Sequence, residues 1–414
     1  MHSAQSVDPD PPAQRGESSE SSILLTLCLC SFASALGWRT LDPMLPELAQ
    51  DLSVPIGQVV LLTSAYSLPF AMMQVVFGPL GEALGKTRVL LYSLGAVCIS
   101  MLLMSVAPGF YSLLACRMLS GAVAGGIGPV TIALLSDRVA VEHRQVALGR
   151  LLSALIGGQV VGASVAGLLV GLIGWRWVVV LAALVVGLVC VLAAFKLRGR
   201  IEARSSPSLR KSFAMYRTAL KHPEALFLMV AIMLESALVM GLIPFVAAML
   251  QQRSGTAAAQ AGIVIGCFAI GGLVFGGLVS WLVRRLGPLN MIRTGCVLAG
   301  AGLAISAIRL PWGVTALCFV AVGLGFYMMH NSLMLRVTEL NPSARGAATS
   351  VGAFSFTTGQ GLGPIGWTGL AGGVGYSALF GISAVCFALL GLAAAALLQR
   401  RLRHVALEQS NGPQ

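Results

Sequence analysis

Five ionisable side chains stand inside long apolar runs, where a charge is costly and usually functional. Arg39 and Asp42, in "GWRTLDPMLPELAQDL", are three residues apart on one helix face and can pair. Pairing with a cation argues against Asp42 as an easy proton carrier. It leaves an external gate, a site for a charged substrate group, or a purely structural pair. Arg117, in "LLACRMLSGAVAGG", has to face a bundle interior or a water-filled cavity. Glu235, in "LFLMVAIMLESALVMGLIPF", has no base in its own helix. A buried acid of this kind suits proton exchange, recognition of a substrate cation, or a structural role. In "GFYMMHNSLM", Tyr327, His330 and Asn331 fall on or near one face of a mostly apolar helix. Histidine titrates near neutrality and can relay protons, although a hydrogen-bonded helix-contact histidine fits the same pattern. Gln74 is placed to reach the same interior.

The elements that position these groups follow from composition. Of 414 residues, 57% are hydrophobic and only 10% charged, and mean hydropathy is +0.86. A soluble domain carries roughly a quarter charged residues. Runs of about 20 apolar residues, each able to cross a ~30 Å hydrocarbon core, account for the deficit. The runs read as twelve spans: 22–43, 56–79, 88–107, 110–136, 147–172, 175–196, 223–250, 259–283, 290–309, 313–336, 347–371 and 375–398. The fold class is therefore an all-α membrane protein embedded in a lipid bilayer. Its 49 glycines suit close helix contact. Residues 1–21, rich in Ser, Pro and acids without a basic leader region, read as a disordered cytoplasmic tail. Residues 197–222 read as a basic cytoplasmic linker between bundles 22–196 and 223–398, and residues 399–414 as a second cytoplasmic tail.

The formal charge of +12 follows the same topology. With both termini inside, all but five of the 27 Lys and Arg lie in cytoplasmic segments or at their edges, as the positive-inside rule requires. The bases are not gathered on one solvated face, which argues against nucleic-acid binding. The nine cysteines all lie in apolar runs without zinc-site spacing and read as reduced packing residues. Phosphate-loop, H-E-x-x-H and G-x-S-x-G signatures are absent, so neither an ATP-driven pump nor an enzyme is indicated, and no cofactor or metal is expected.

The two bundles repeat. An offset of 202 residues sets Gly85 on Gly287, Gly121 on Gly323 and Asp137 on Glu339. An offset of 201 sets Arg144 on Arg345, Gly158 on Gly359 and Gly162 on Gly363. Parallel six-helix repeats point to a transporter with its site at their interface. The loop "GPLGEALGKTR" resembles the motif G-x-L-a-D-r-x-G-r-k of the major facilitator superfamily, with Gly78, Leu80, Gly85 and Lys86 in place. Glu82 stands at the aspartate position and Arg88 adds a second base. Arg117 and Gly121 resemble the superfamily's l-x-x-x-R-x-x-q-G motif, with Ser120 for glutamine. Gly158, Gly162 and Gly167 resemble its antiporter motif, with Ala163 and Ala166 for the proline and one glycine. Gly359, Gly363 and Pro364 hold the second-half counterpart.

The resemblance implies a proton-coupled transporter of the twelve-span bacterial drug or metabolite efflux branch, in the cell inner membrane. It implies that Glu82 pairs with the start of the eleventh span near Ala347, and that Arg117 takes part in proton transfer or anion recognition. A structural arginine capping helix carbonyls is the other reading of Arg117. Asp42 resembles a protonatable position that some drug antiporters place in their first helix. A single chain holding both halves of a pathway is expected to work as a monomer, exporting a small molecule against protons. Two rivals stand beside this. One is a proton symporter importing a small organic anion on Arg39 or Arg117, and the other is a non-transporting sensor or scaffold.

Overall fold

The computed structural model describes residues 12–139, 143–197, 217–218, 224–255, 258–340 and 345–410. Among them every regular element is helical. Hydrocarbon requires this, because a helix pairs its own backbone N–H and C=O groups where water cannot. The first span is α1 (Pro12–Arg39), a 3-10 turn (Asp42–Met44) and α2 (Leu45–Asp51). The second and third are α3 (Ile56–Leu84) and α4 (Lys86–Ser105). The fourth is split into α5 (Phe110–Ala124) and α6 (Ile127–Arg138). Helix α7 (Arg144–Lys196, 53 residues) crosses twice, breaking at Gly174 with φ +75°. The seventh span is α8 (Ala225–Val239) and α9 (Phe245–Ser254). Helix α10 (Ala258–Ala307, 50 residues) again crosses twice, breaking at Gly287. Helices α11 (Trp312–Glu339), α12 (Arg345–Val374) and α13 (Tyr376–Ser410) complete the twelve.

Several boundaries differ from the expectation. Helix α1 starts at Pro12 and α13 runs to Ser410, so both enter stretches expected as tails. Once a helix is nucleated, each added residue gains a hydrogen bond without a further nucleation cost. The first span breaks after Arg39, just before Pro43 and Pro46, whose rings cannot continue a helix interior. The expected linker lies outside the described residues, apart from Leu197, Arg217 and Thr218.

The internal repeat is visible in backbone contacts. A Cβ on Gly121 would collide with the carbonyl of Tyr66, and one on Gly323 with that of Phe268, its counterpart at the offset of 202. Gly158 and Gly162 lie against the carbonyls of Phe32 and Leu36, which packs the fifth span on the first. Their counterparts Gly359 and Gly363 lie against Met233 and Ala237, all four at the offset of 201. Turns repeat as well: φ is +93° at Gly85 and +71° at Gly287, then +75° at Gly174 and +78° at Gly375. Side chains rarely adopt that left-handed region, so glycine is required at each of these breaks. Pro364 is buried one residue beyond Gly363.

The bundles meet at the end that carries Gly174 and Gly375. There Gly167 packs on Ala258 and Gly262, and Ser164 Oγ donates to the Gly262 carbonyl at 3.3 Å. Thr368 Oγ1 donates to the Gly57 carbonyl at 3.4 Å. At the same end, Asp51 accepts from Trp175 Nε1 at 2.9 Å and from Arg176 at 2.5 Å, fastening the first span to the sixth.

The collisions make a prediction. Gly359→Ala should destabilise the protein by about 1–3 kcal/mol through overpacking against the Met233 carbonyl. Gly366→Ala, in open space on the same helix, should be near neutral. Equal melting temperatures for the two variants in detergent would refute the close-packing account.

Candidate functional site

A cavity of about 780 Å³ lies between the bundles, with walls from both. It runs from Trp38, Arg39, Met240, Tyr327 and His330 to the opposite end of the bundle, at Glu82, Lys86, Gly346 and Ser350. The loop motif therefore forms its mouth, while the contacts around Gly167 and Gly262 close the other end.

A buried ion pair and a carboxyl–imidazole contact flank its inner part. Arg39, 3% exposed, borders the cavity and donates from Nη1 to Asp42 Oδ2 at 2.9 Å. Asp42, 1% exposed, also accepts from Thr63 Oγ1 at 3.2 Å. The Arg39 Nη2 lies 3.3 Å from Met240 Sδ, across the boundary between the bundles. On the facing side, Glu235 Oε1 on α8 is 2.5 Å from His330 Nδ1 on α11. Glu235 is fully buried and its Oε2 has no hydrogen-bond partner among the described residues. His330 borders the cavity and packs on Phe326, stacked at 5.7 Å, and against the tilted ring of Phe356, at 4.7 Å. The imidazole thus joins a buried carboxyl to the cavity, an arrangement able to hold and pass a proton.

Arg117 sits elsewhere. It is 1% exposed and is not among the residues bordering the cavity. Nη1 donates to the Gly37 carbonyl at 3.1 Å and Nη2 to that of Trp38 at 2.6 Å, while the guanidinium lies 4.4 Å from the centre of the Tyr66 ring. These two carbonyls belong to the last turn of α1, where a helix leaves its C=O groups unpaired. This is the carbonyl-capping geometry expected of a structural arginine.

The remaining expected residues divide. Tyr327 and Gln74 border the cavity, whereas Asn331 is exposed and does not. The helical turn of about 100° per residue swings Asn331 away from the face that carries His330. Gly78, Glu82 and Lys86 border the mouth, Gly85 makes the turn, and Arg88 is half-buried on α4, off the cavity. Glu82 shares the mouth with Gly346 and Ala347 at the start of α12. Lys86 forms an ion pair with Asp137 at the end of α6. Sequence reasoning did not identify that partner, nor Trp38, Met240, Phe356 and Gln360 as cavity residues. Gln360 lies inside the "GQGLGP" string that carries Gly359 and Gly363.

Two parallel sets of spans around one central compartment, with buried charge at its wall, define a multi-pass membrane carrier. Residues 27–364 match the Major Facilitator Superfamily, and the chain belongs to that family of transporters. It is similar to a class G tetracycline resistance protein of Vibrio anguillarum, at 28% identity over 84% of this chain and 90% of that one. It resembles the multidrug export protein EmrB of Haemophilus influenzae at 27% identity, over 47% of this chain and 37% of that one. An uncharacterised MFS-type transporter of Mycobacterium tuberculosis is 31% identical over 32% of this chain, and the chain spans only 23% of that relative's length.

Removing one member of a buried pair strands the other, at a cost of about 3–5 kcal/mol. Asp42→Ala should therefore sharply lower the yield of folded protein, and the double change Arg39→Met with Asp42→Leu should recover it. A double variant that melts no higher than Asp42→Ala would show that stranded charge is not the cause.

Proposed function

We propose that the protein is a secondary active transporter of the inner membrane that exports a small organic compound in exchange for protons. The observation that carries this reading is the Glu235–His330 pair: a carboxyl sealed in the second bundle, reached from the central cavity through one imidazole. A buried acid beside a substrate compartment is the usual place for proton exchange in a membrane carrier. The similarity to a tetracycline resistance protein along most of both chains supports efflux.

In this reading both termini are cytoplasmic and the cavity mouth at Glu82 and Lys86 faces the cytoplasm, where the basic loops concentrate. The compound enters there and rests against Trp38, Phe70, Tyr327 and Phe356. Bundles 22–196 and 223–398 then rock about the site as rigid bodies. The contacts of Gly167 with Gly262 and of Arg39 with Met240 part, and the mouth closes. From the outer side, His330 takes a proton and shares it with Glu235, and release to the cytoplasm on return drives the cycle. One chain contains the whole path, so the working unit is a monomer. Anion import draws less support, since Arg39 is already engaged by Asp42 and Arg117 by two carbonyls.

Proteoliposomes with a pH dye inside, challenged with a compound panel that includes tetracycline, test the proposal. At least one compound should trigger proton movement opposite to its own, falling by about tenfold or more in Glu235→Gln. Undiminished flux in that variant would remove the pair as carrier. No flux with any compound would sink the export reading.

A further inference from the structure

Three polar groups bordering the cavity are buried without a hydrogen-bond partner among the described residues: Trp38 Nε1, Gln74 Oε1 and Gln360 Nε2. Ten other buried polar atoms also lack a partner among the described residues, Arg117 Nε and Glu235 Oε2 included, but none of those residues borders the cavity. The indole of Trp367, in contrast to that of Trp38, donates from Nε1 to the Ala237 carbonyl at 3.0 Å. An unanswered buried group costs free energy, so three at one cavity are a liability unless a ligand meets them. Gln360 makes the case most sharply, being 1% exposed on a helix where an apolar side chain would cost nothing.

The three groups form a pattern. Trp38 and Gln360 each present an N–H donor, and a carbonyl oxygen has two lone pairs with which to accept both. Gln74 presents an acceptor, which calls for an N–H or O–H on the ligand. Around them stand flat rings: Trp38 lies 4.8 Å from Phe70, and Phe356 and Tyr327 face the same space. Charge adds nothing to this edge, because Arg39 is held by Asp42 and His330 by Glu235.

We propose that the cavity selects flat aromatic compounds bearing an adjacent hydrogen-bond acceptor and donor on one edge, as in a lactam or carboxamide, read by Trp38, Gln74 and Gln360. The ligand carbonyl accepts from Trp38 Nε1–H and Gln360 Nε2–H, and its N–H donates to Gln74 Oε1. Trp38 and Gln74 belong to the first bundle and Gln360 to the second. One small edge therefore ties the bundles together. This rests on the transport reading for its site but concerns recognition alone.

Carbostyril, a bicyclic lactam, carries the N–H donor, and its N-methyl derivative has a methyl group in place of that hydrogen. Binding of each to the full-length protein in nanodiscs, followed by calorimetry, should favour carbostyril by about tenfold, the worth of one buried hydrogen bond. In Gln74→Leu that ratio should fall to about one. In Trp38→Phe, which keeps the aromatic stack, both compounds should weaken alike and the ratio should survive. Melting temperatures within a few degrees of wild type would show that each variant is folded; if Gln74→Leu melts lower, Gln74→Met takes its place. Equal affinity of the two compounds for wild type, a ratio unchanged without Gln74, or binding of neither compound would overturn the proposal. Carbostyril binding without proton flux would leave recognition standing and count against export.

Discussion

A helix that ends inside hydrocarbon leaves its last carbonyls with nothing to accept from, and the rest of this site hangs on how that shortage is met. Helix α1 stops at Arg39. Thr40 Oγ1 answers the Leu36 carbonyl at 2.7 Å, and the two arms of Arg117 answer those of Gly37 and Trp38. With that turn pinned, Arg39 and Asp42 face each other and the Trp38 ring lies at the cavity wall. The second bundle has the same break after Val239. Its carbonyls at Ala237 and Leu238 are answered by Trp367 Nε1 and Ser383 Oγ instead. Equivalent shortages are thus met by a charge in one bundle and by neutral donors in the other.

That difference separates the roles of the buried charges. Arg117 is spent on backbone and Arg39 on Asp42, so the first bundle's charges are fixed in place. The second bundle holds Glu235 and His330, with one carboxyl oxygen unpartnered among the described residues and one ring at the cavity.

Much of the fold was legible because its signals are local. Apolar runs gave the spans, and glycines at constant offset gave the repeat, since a backbone touching a backbone tolerates no side chain. The site was legible only in part. Arg39 and Asp42 lie three residues apart and were paired from spacing, whereas Glu235 and His330 lie 95 residues apart and Lys86 and Asp137 lie 51 apart. No local pattern joins such groups. Trp38 and Gln360 escaped for a related reason. In a bilayer both the packed and the lipid-facing sides of a helix are apolar, so the period that reveals an inward face in water is lost. Asn331 was misplaced by the same ambiguity.

The glycine contacts also preserve a history. Pairs in the second to fourth spans are related by 202 residues, as with Gly121 on Tyr66 and Gly323 on Phe268. Pairs joining the first and fifth spans are related by 201, as with Gly158 on Phe32 and Gly359 on Met233. If the bundles descend from one duplicated ancestral segment, a single codon was gained or lost between residues 36 and 66, and another between 121 and 158. Slippage within a helix would have driven a Cβ into a carbonyl, so such changes were retained only where helices end. Steric exclusion at a handful of glycines thus acted as a filter on insertions and deletions, and it kept the two copies superposable while their charges diverged.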